Sequence, residues 1–250
     1  MGPIATSGIV LASTFAAAVC GVLLRTVLPP NHFNDEAKDA IKLATGLVGS
    51  MVALILGLLV WSSKSFFDTQ SAEMTKISAQ AVMLDGVLSH YGPEANGARD
   101  RLRAALRGLL DQTWSHNGES SSRDPTLTGQ DDLYEAVERL SSQNESQRSL
   151  RASGISMLYE LGQTRWLIYE QNAAGLPRPL LFVLVCWLAL LFLSFGLFAP
   201  TNGTVAASLF LSALAVSGAV LMALEMYSPY HGLIQVSSQP LRVAIAHLGK

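Results

Sequence analysis

Nineteen uncharged residues, Leu43–Trp61 (LATGLVGSMVALILGLLVW), constrain this chain more than any other stretch. At about 1.5 Å per helical residue they reach roughly 28 Å, close to the ~30 Å of a bilayer's hydrocarbon core. Lys42 and Lys64 bracket them. Gly46, Gly49, Ser50, Ala53 and Gly57 fall at offsets 0, 3, 4, 7 and 11, which is one helical face. No glycine or proline interrupts the chain from Leu58 to Asp85. The pattern predicts a helix that crosses the membrane and continues into water.

Composition supports a membrane setting. Only 14% of the residues are charged, where a soluble domain carries about 25%. The deficit is local: long apolar runs alternate with an ordinary polar stretch. A net charge of −2 indicates neither nucleic acid nor a polybasic anchor. The five histidines share no metal-ligand spacing, so neither a metal nor another cofactor is expected. Cys20 and Cys186 lie in apolar runs and are expected to be small buried hydrophobes. Met1–Ser7 carries no Lys or Arg, so the first run is expected to be a mature span and not a signal peptide.

Four runs are long enough to cross a bilayer: Gly8–Leu28, Leu43–Trp61, Pro179–Ala199 and Thr204–Met226. Pro29-Pro30 ends the first. Asn34 reads as an N-cap, with Asp35 and Glu36 in the first turn of the second helix. Thr201-Asn202-Gly203 predicts a tight turn and an antiparallel hairpin of the last two spans. Residues 1–63 and 178–228 are therefore two transmembrane hairpins, 64–177 a helical insertion, and 229–250 an amphipathic tail.

Three helices are predicted in the insertion. Phe67, Met74, Ile77, Ala81, Leu84, Leu88 and Tyr91 form a heptad-like stripe on the first, over Lys64–Tyr91. Gly92-Pro93 ends it, and Pro93 suits the first position of the next, Pro93–Trp114. His116–Gln130 reads as a loop. Asp131–Gln171 reads as one long helix, with a bend expected near Gly154. Lys64, Lys76, Arg165, Arg178 and Arg242 outnumber Arg25, Lys38 and Lys42 on the other side, which places the insertion and both termini in the cytoplasm.

Three features are candidates for function. The small-residue face of the second span serves either close helix packing or a pore wall, with Leu54 and Leu58 as a hydrophobic constriction. Asn144, Gln147 and Arg151 fall at core heptad positions of the long helix. Either the helix drifts and they face water, or they line a wet vestibule or set an oligomer register. Glu225 is the only acid within an apolar run, either a snorkelling or locally paired acid or an ion site. No nucleophile elbow, phosphate loop or paired carboxylate with a base is present, so no catalytic residue is assigned and an enzyme is not expected.

The tail Glu225–Gly249 (EMYSPYHGLIQVSSQPLRVAIAHLG) resembles the closing motif of the bacterial bestrophin-like family, in Glu225, Pro229, Gly232, Val236, Ser237, Pro240 and Leu241. Tyr230 replaces the family's usual Phe, and Tyr227 stands where an acid is expected. The likeness to bestrophins implies an all-α membrane protein of four spans with a cytosolic helical insertion, assembled as a symmetric oligomer, a pentamer by analogy. It implies an ion channel of the bacterial inner membrane, with the second span lining the pore and anions preferred. The neck motif rich in proline and phenylalanine is absent from the second span. A cation channel of the same plan, or a non-conducting scaffold or sensor, is the alternative. The partners implied are the bilayer, further copies of the chain and permeant ions.

Overall fold

The computed structural model describes residues 2–27, 35–114, 130–174, 178–200 and 202–248. Its elements are α1 (Pro3–Val27), α2 (Asp35–Tyr91), a 3-10 turn (Pro93–Ala95), α3 (Asn96–Trp114), α4 (Gln130–Glu138), α5 (Glu145–Ala174), α6 (Arg178–Phe198), α7 (Gly203–Met226) and α8 (Gln239–His247). Among the described residues there is no β-strand. The chain divides into two units, Met1–Ser65 with Leu176–Tyr227, and Phe66–Gly175 with Ser228–Lys250.

Among the described residues four helices are long and apolar enough to cross a membrane, α1, α6 and α7 in the first unit and α2, whose apolar part belongs to it. α1 packs against both α6 and α7. Small residues permit this: a Cβ on Gly21 would overlap the Leu193 carbonyl, and one on Gly196 would overlap that of Ala18. Backbones this close maximise dispersion contact where water supplies no driving force. Ser217 donates to the Ser7 carbonyl at 2.7 Å, and Phe15 meets Phe210 edge to face. These pairs run α1 and α7 antiparallel. Arg25 donates to the Ala199 carbonyl, so the last turn of α1 holds a C-terminal carbonyl left open after α6. Both cysteines are exposed, contrary to the expectation that they are buried. On a span, the outward face is as apolar as the core, so an apolar neighbourhood in the sequence does not imply burial.

α2 is a single helix of 57 residues. Its later half supplies the core stripe of the second unit, where Met74, Ile77, Ala81, Leu84, Leu88 and Tyr91 are each 3% exposed or less. Gly92 stops it at φ 124°, a conformation that side chains rarely adopt. The first turn of the expected Pro93–Trp114 helix is 3-10. α3 then lays Leu102 and Leu106 on the stripe. A bidentate pair, Arg99 to Asp85 at 2.7 and 2.9 Å, ties α3 to α2. The expected loop His116–Gln130 lies almost wholly outside the described residues.

The long helix expected over Asp131–Gln171 is two helices. The break falls at Arg139–Asn144 and not at Gly154, which sits inside α5. Its cause is capping: Asn144 Oδ1 accepts from the Gln147 N–H at 2.8 Å, and Gln147 Oε1 accepts from the Gln143 N–H at 2.8 Å. This is close to a capping box. Gly154 is buried because Val137 and Leu84 approach it, their methyls 3.6 and 3.8 Å from where a Cβ would stand.

Candidate functional site

Within the first unit, the transmembrane part of α2 is the least covered span. In its most apolar window 11% of the residues are buried, against 28% in α1 and α6 and 17% in α7. One side does pack inward, through Val52 and Leu59. The opposite side is open. Gly46, Ser50, Ala53 and Gly57 are all exposed, and nothing lies within 4 Å of a Cβ placed on Gly46 or Gly57. Gly49 sits at the edge of this strip, with a Leu191 methyl 3.8 Å from its Cβ position. Beside it runs a second strip, Leu43, Leu47, Leu54, Leu58 and Trp61, each at least 55% exposed. At about 100° per residue the two strips together span nearly half of the helix. Among the described residues, Gly46 and Gly57 of the small-residue face pack against nothing, whereas Gly21 and Gly196 carry the close helix contact.

The chemistry of this face is plain. It carries no ionisable group from Leu43 to Trp61. Its one hydroxyl, on Ser50, donates to the Gly46 carbonyl at 3.0 Å. Such a surface grips no ion; it suits close helix contact or a narrow apolar passage.

Glu225 lies in the last turn of α7, 3% exposed and engaged in an interaction within the structure. Arg25 is at the opposite end of α1–α7 packing, beside Ala199, so the two are not partners. Tyr227, where an acid was expected, exchanges a hydrogen bond with Ser62 at 3.0 Å.

The three polar heptad residues cap helix ends in the second unit. Asn144 caps α5. Gln147 donates to the Tyr91 carbonyl at 3.2 Å, at the end of α2. Arg151 donates to the Leu140 carbonyl at 3.3 Å, just after α4. Open backbone N–H and carbonyl groups at helix ends give each of these polar residues a partner within its own unit.

Sequence reasoning missed a buried polar relay in the second unit. Tyr230 donates to Gln70 Oε1 at 3.0 Å, Gln70 to Gln171 Oε1 at 2.8 Å, and Gln171 to Glu73 Oε1 at 3.1 Å. Gln70 is fully buried, and Glu73 Oε2 is buried with no hydrogen-bond partner among the described residues. Partners a hundred residues apart leave no local pattern to read. The relay also explains the tail motif. Pro229 accepts from the Val236 N–H at 2.7 Å, closing a loop in which Gly232 takes φ 146°. Trp114 donates to the Val236 carbonyl at 3.0 Å and meets the Tyr230 ring edge to face. Pro240 opens α8, which packs on α3 and buries Leu241 completely. Tyr230 is thus a core residue, whereas Trp61 and Trp166 are exposed.

Known proteins agree with this architecture. A family model described as the bestrophin-like domain matches residues 12–241. Two variant crystal structures of a bacterial bestrophin homolog from Klebsiella pneumoniae superpose with TM-scores of 0.70 and 0.69, at 14% and 13% identity. They cover 96% and 97% of this chain and equal shares of their own. A third crystal structure, of a membrane protein, has a TM-score of 0.68 at 14% identity over 96% of both chains. No match was found among curated proteins. With its four candidate spans and all-helical fold, and with a family match over nearly its whole length, this multi-pass membrane protein belongs to the bestrophin-like domain family.

Proposed function

We propose that the chain is one subunit of an oligomeric ion channel, a pentamer, with α2 lining the pore. The observation that carries the reading is the uncovered face of α2, Gly46 through Leu58. A strip of glycine, serine and alanine offers lipid little contact. Around a symmetry axis it lets five helices approach, with Leu54 or Leu58 narrowing the lumen. Such a constriction gates by dewetting. Glu225 is buried in α7 and serves packing in this scheme, not permeation. The family likeness favours anions and the bacterial inner membrane, and the distribution of Lys and Arg favours a cytoplasmic second unit with both termini cytoplasmic.

The test is a planar-bilayer recording of purified protein under an asymmetric salt gradient. A reversal potential near the chloride equilibrium value is expected. One near the cation value would retain the pore and reverse the selectivity. The absence of a charged ring in α2 favours a second reading, a non-conducting scaffold whose second unit binds a partner. Silent protein that cross-links only to a dimer would establish it over the channel.

A further inference from the structure

The strip from Leu43 to Trp61 carries no ionisable group, so nothing within it tells an anion from a cation. In a pore lined by α2, the sign of the permeant ion is chosen at the ends of the strip. At the first end Lys42 pairs with Asp39 at 3.2 Å, and the two charges cancel. At the other end stands Lys64, the sole ionisable residue of the chain from Leu43 to Ser65. The packing of the first unit fixes which way it faces. Val52, Leu59 and Ser63 mark the packed side of α2, each 5% exposed or less. The Ser63 hydroxyl donates to the Leu59 carbonyl at 2.7 Å on that side. Lys64 is exposed. Seven residues on from Gly57, it lies about 20° round the helix from it, on the same open side as Gly46 and Ser50. Glu225 of α7, near the Ser62–Tyr227 hydrogen bond at this end, is 3% exposed and leaves the open side to Lys64.

We propose that Lys64 sets the ion preference of the channel: repeated around the axis, it forms a ring of ammonium groups just past the apolar constriction, and this ring favours small anions such as chloride over cations. The assignment rests on the reading of α2 as the pore wall of a pentamer. Rings of basic side chains select anions in pores generally. Distance decides whether this ring is close enough to act. Lys64 lies six residues beyond Leu58, about 9 Å along the helix axis. That is close to the ~8 Å Debye length at physiological salt. Five unit charges at that distance, in water and so screened, favour a monovalent anion over a cation roughly tenfold. The low-dielectric wall of the strip focuses the field further. A lysine that only anchors the helix at the membrane surface leaves permeation untouched.

The experiment measures the chloride-to-sodium permeability ratio of the full-length protein in planar bilayers, from reversal potentials under sodium chloride gradients. Near 0.15 M salt, Lys64→Gln is expected to lower the ratio roughly tenfold and Lys64→Glu to invert it. Lys64→Arg keeps the charge and is expected to keep the ratio. Asp68→Asn, which removes the next charge along the sequence, is expected to leave the anion preference in place. At about 1 M salt the Debye length falls to ~3 Å, and wild type and Lys64→Gln are expected to converge to within about twofold. A change in helix packing would not follow salt in this way. Unchanged elution and an unchanged cross-linked species establish that the variants assemble. Current with the wild-type ratio in Lys64→Glu would overturn the assignment and leave the pore standing. A cation-selective wild type would do the same. A wild type without current would remove the pore reading and the assignment together.

Discussion

A single methyl group separates two kinds of glycine in this chain. At Gly196 an added Cβ would overlap the Ala18 carbonyl and sit 3.1 Å from the Val22 nitrogen. Backbone cannot rotate away as a side chain can, so α1 and α6 must part. Gly196→Ala is expected to destabilise the first unit by about 1–3 kcal/mol, read as a lower thermal midpoint in detergent. Gly57→Ala meets nothing within 4 Å and is expected to leave that midpoint unchanged. Equal effects would contradict the packing described here. Arg99 and Asp85 make the residue-scale case in the second unit, with side chains 16% and 10% exposed. Arg99→Leu takes the guanidinium from a buried carboxylate and is expected to cost about 3–5 kcal/mol, while Arg99→Leu with Asp85→Leu recovers most of it. A double variant as unstable as the single would sink this view. The hydrogen bonds that Arg99 donates to Asp85 hold its pKa above the usual value. A raised base contributes stability below its unfolded pKa and loses it only as pH passes the folded one. Both lie above the neutral range, so Arg99 makes this contribution flat with pH there.

At the scale of elements, the C-terminal segment is fastened by Tyr230 and Trp114. Tyr230→Phe leaves the fully buried Gln70 Oε1 without its hydroxyl and is expected to cost about 1–3 kcal/mol. Pairing it with Gln70→Leu removes both ends, and a denaturation cycle is expected to show coupling of about 1 kcal/mol between them. Additive losses would mean that the hydrogen bond does not hold the segment. The elements themselves were largely legible in the sequence. Period alone located the α2 stripe, Met74 to Tyr91, because every contact it makes requires the same face. Period also misled: Leu133, Val137 and Leu140 stay in register with Leu158, so the six-residue break between α4 and α5 went unseen. Asn144-x-x-Gln147 is the available signal of a cap, but at heptad positions the same residues also fit a face turned to water or a vestibule. The relay through Gln70, Gln171 and Glu73 had no such signal, since hydrogen-bond partners remote in sequence share no spacing.

At the scale of the whole molecule, the sequence located the open strip on α2 but not what covers it. Lipid, a neighbouring copy and a dewetted lumen all accept Leu54 and Leu58 equally, because none of them pairs a polar group. The structure narrows this, because no described helix of the chain covers Gly46, Gly57, Leu54 or Leu58. Substitution separates the remaining cases. If Leu54 and Leu58 ring a pore, replacing either by serine wets the constriction, and conductance or open probability in reconstituted bilayers is expected to rise severalfold. Gly57→Leu, which adds bulk to the same face, is expected to reduce current at least tenfold. If the strip faces lipid, serine instead places an unmatched hydroxyl in hydrocarbon, so both leucine variants lose stability and leave current unchanged. If it packs against another copy, Gly57→Leu splits the oligomer, and a smaller cross-linked species accompanies the loss of current. Only gain with serine, loss with leucine and an intact oligomer together place the lumen at this face. Leu54 is 65% exposed and Leu58 55% exposed in the isolated chain, and the fully apolar setting of both makes the serine effect the sharper half of the comparison.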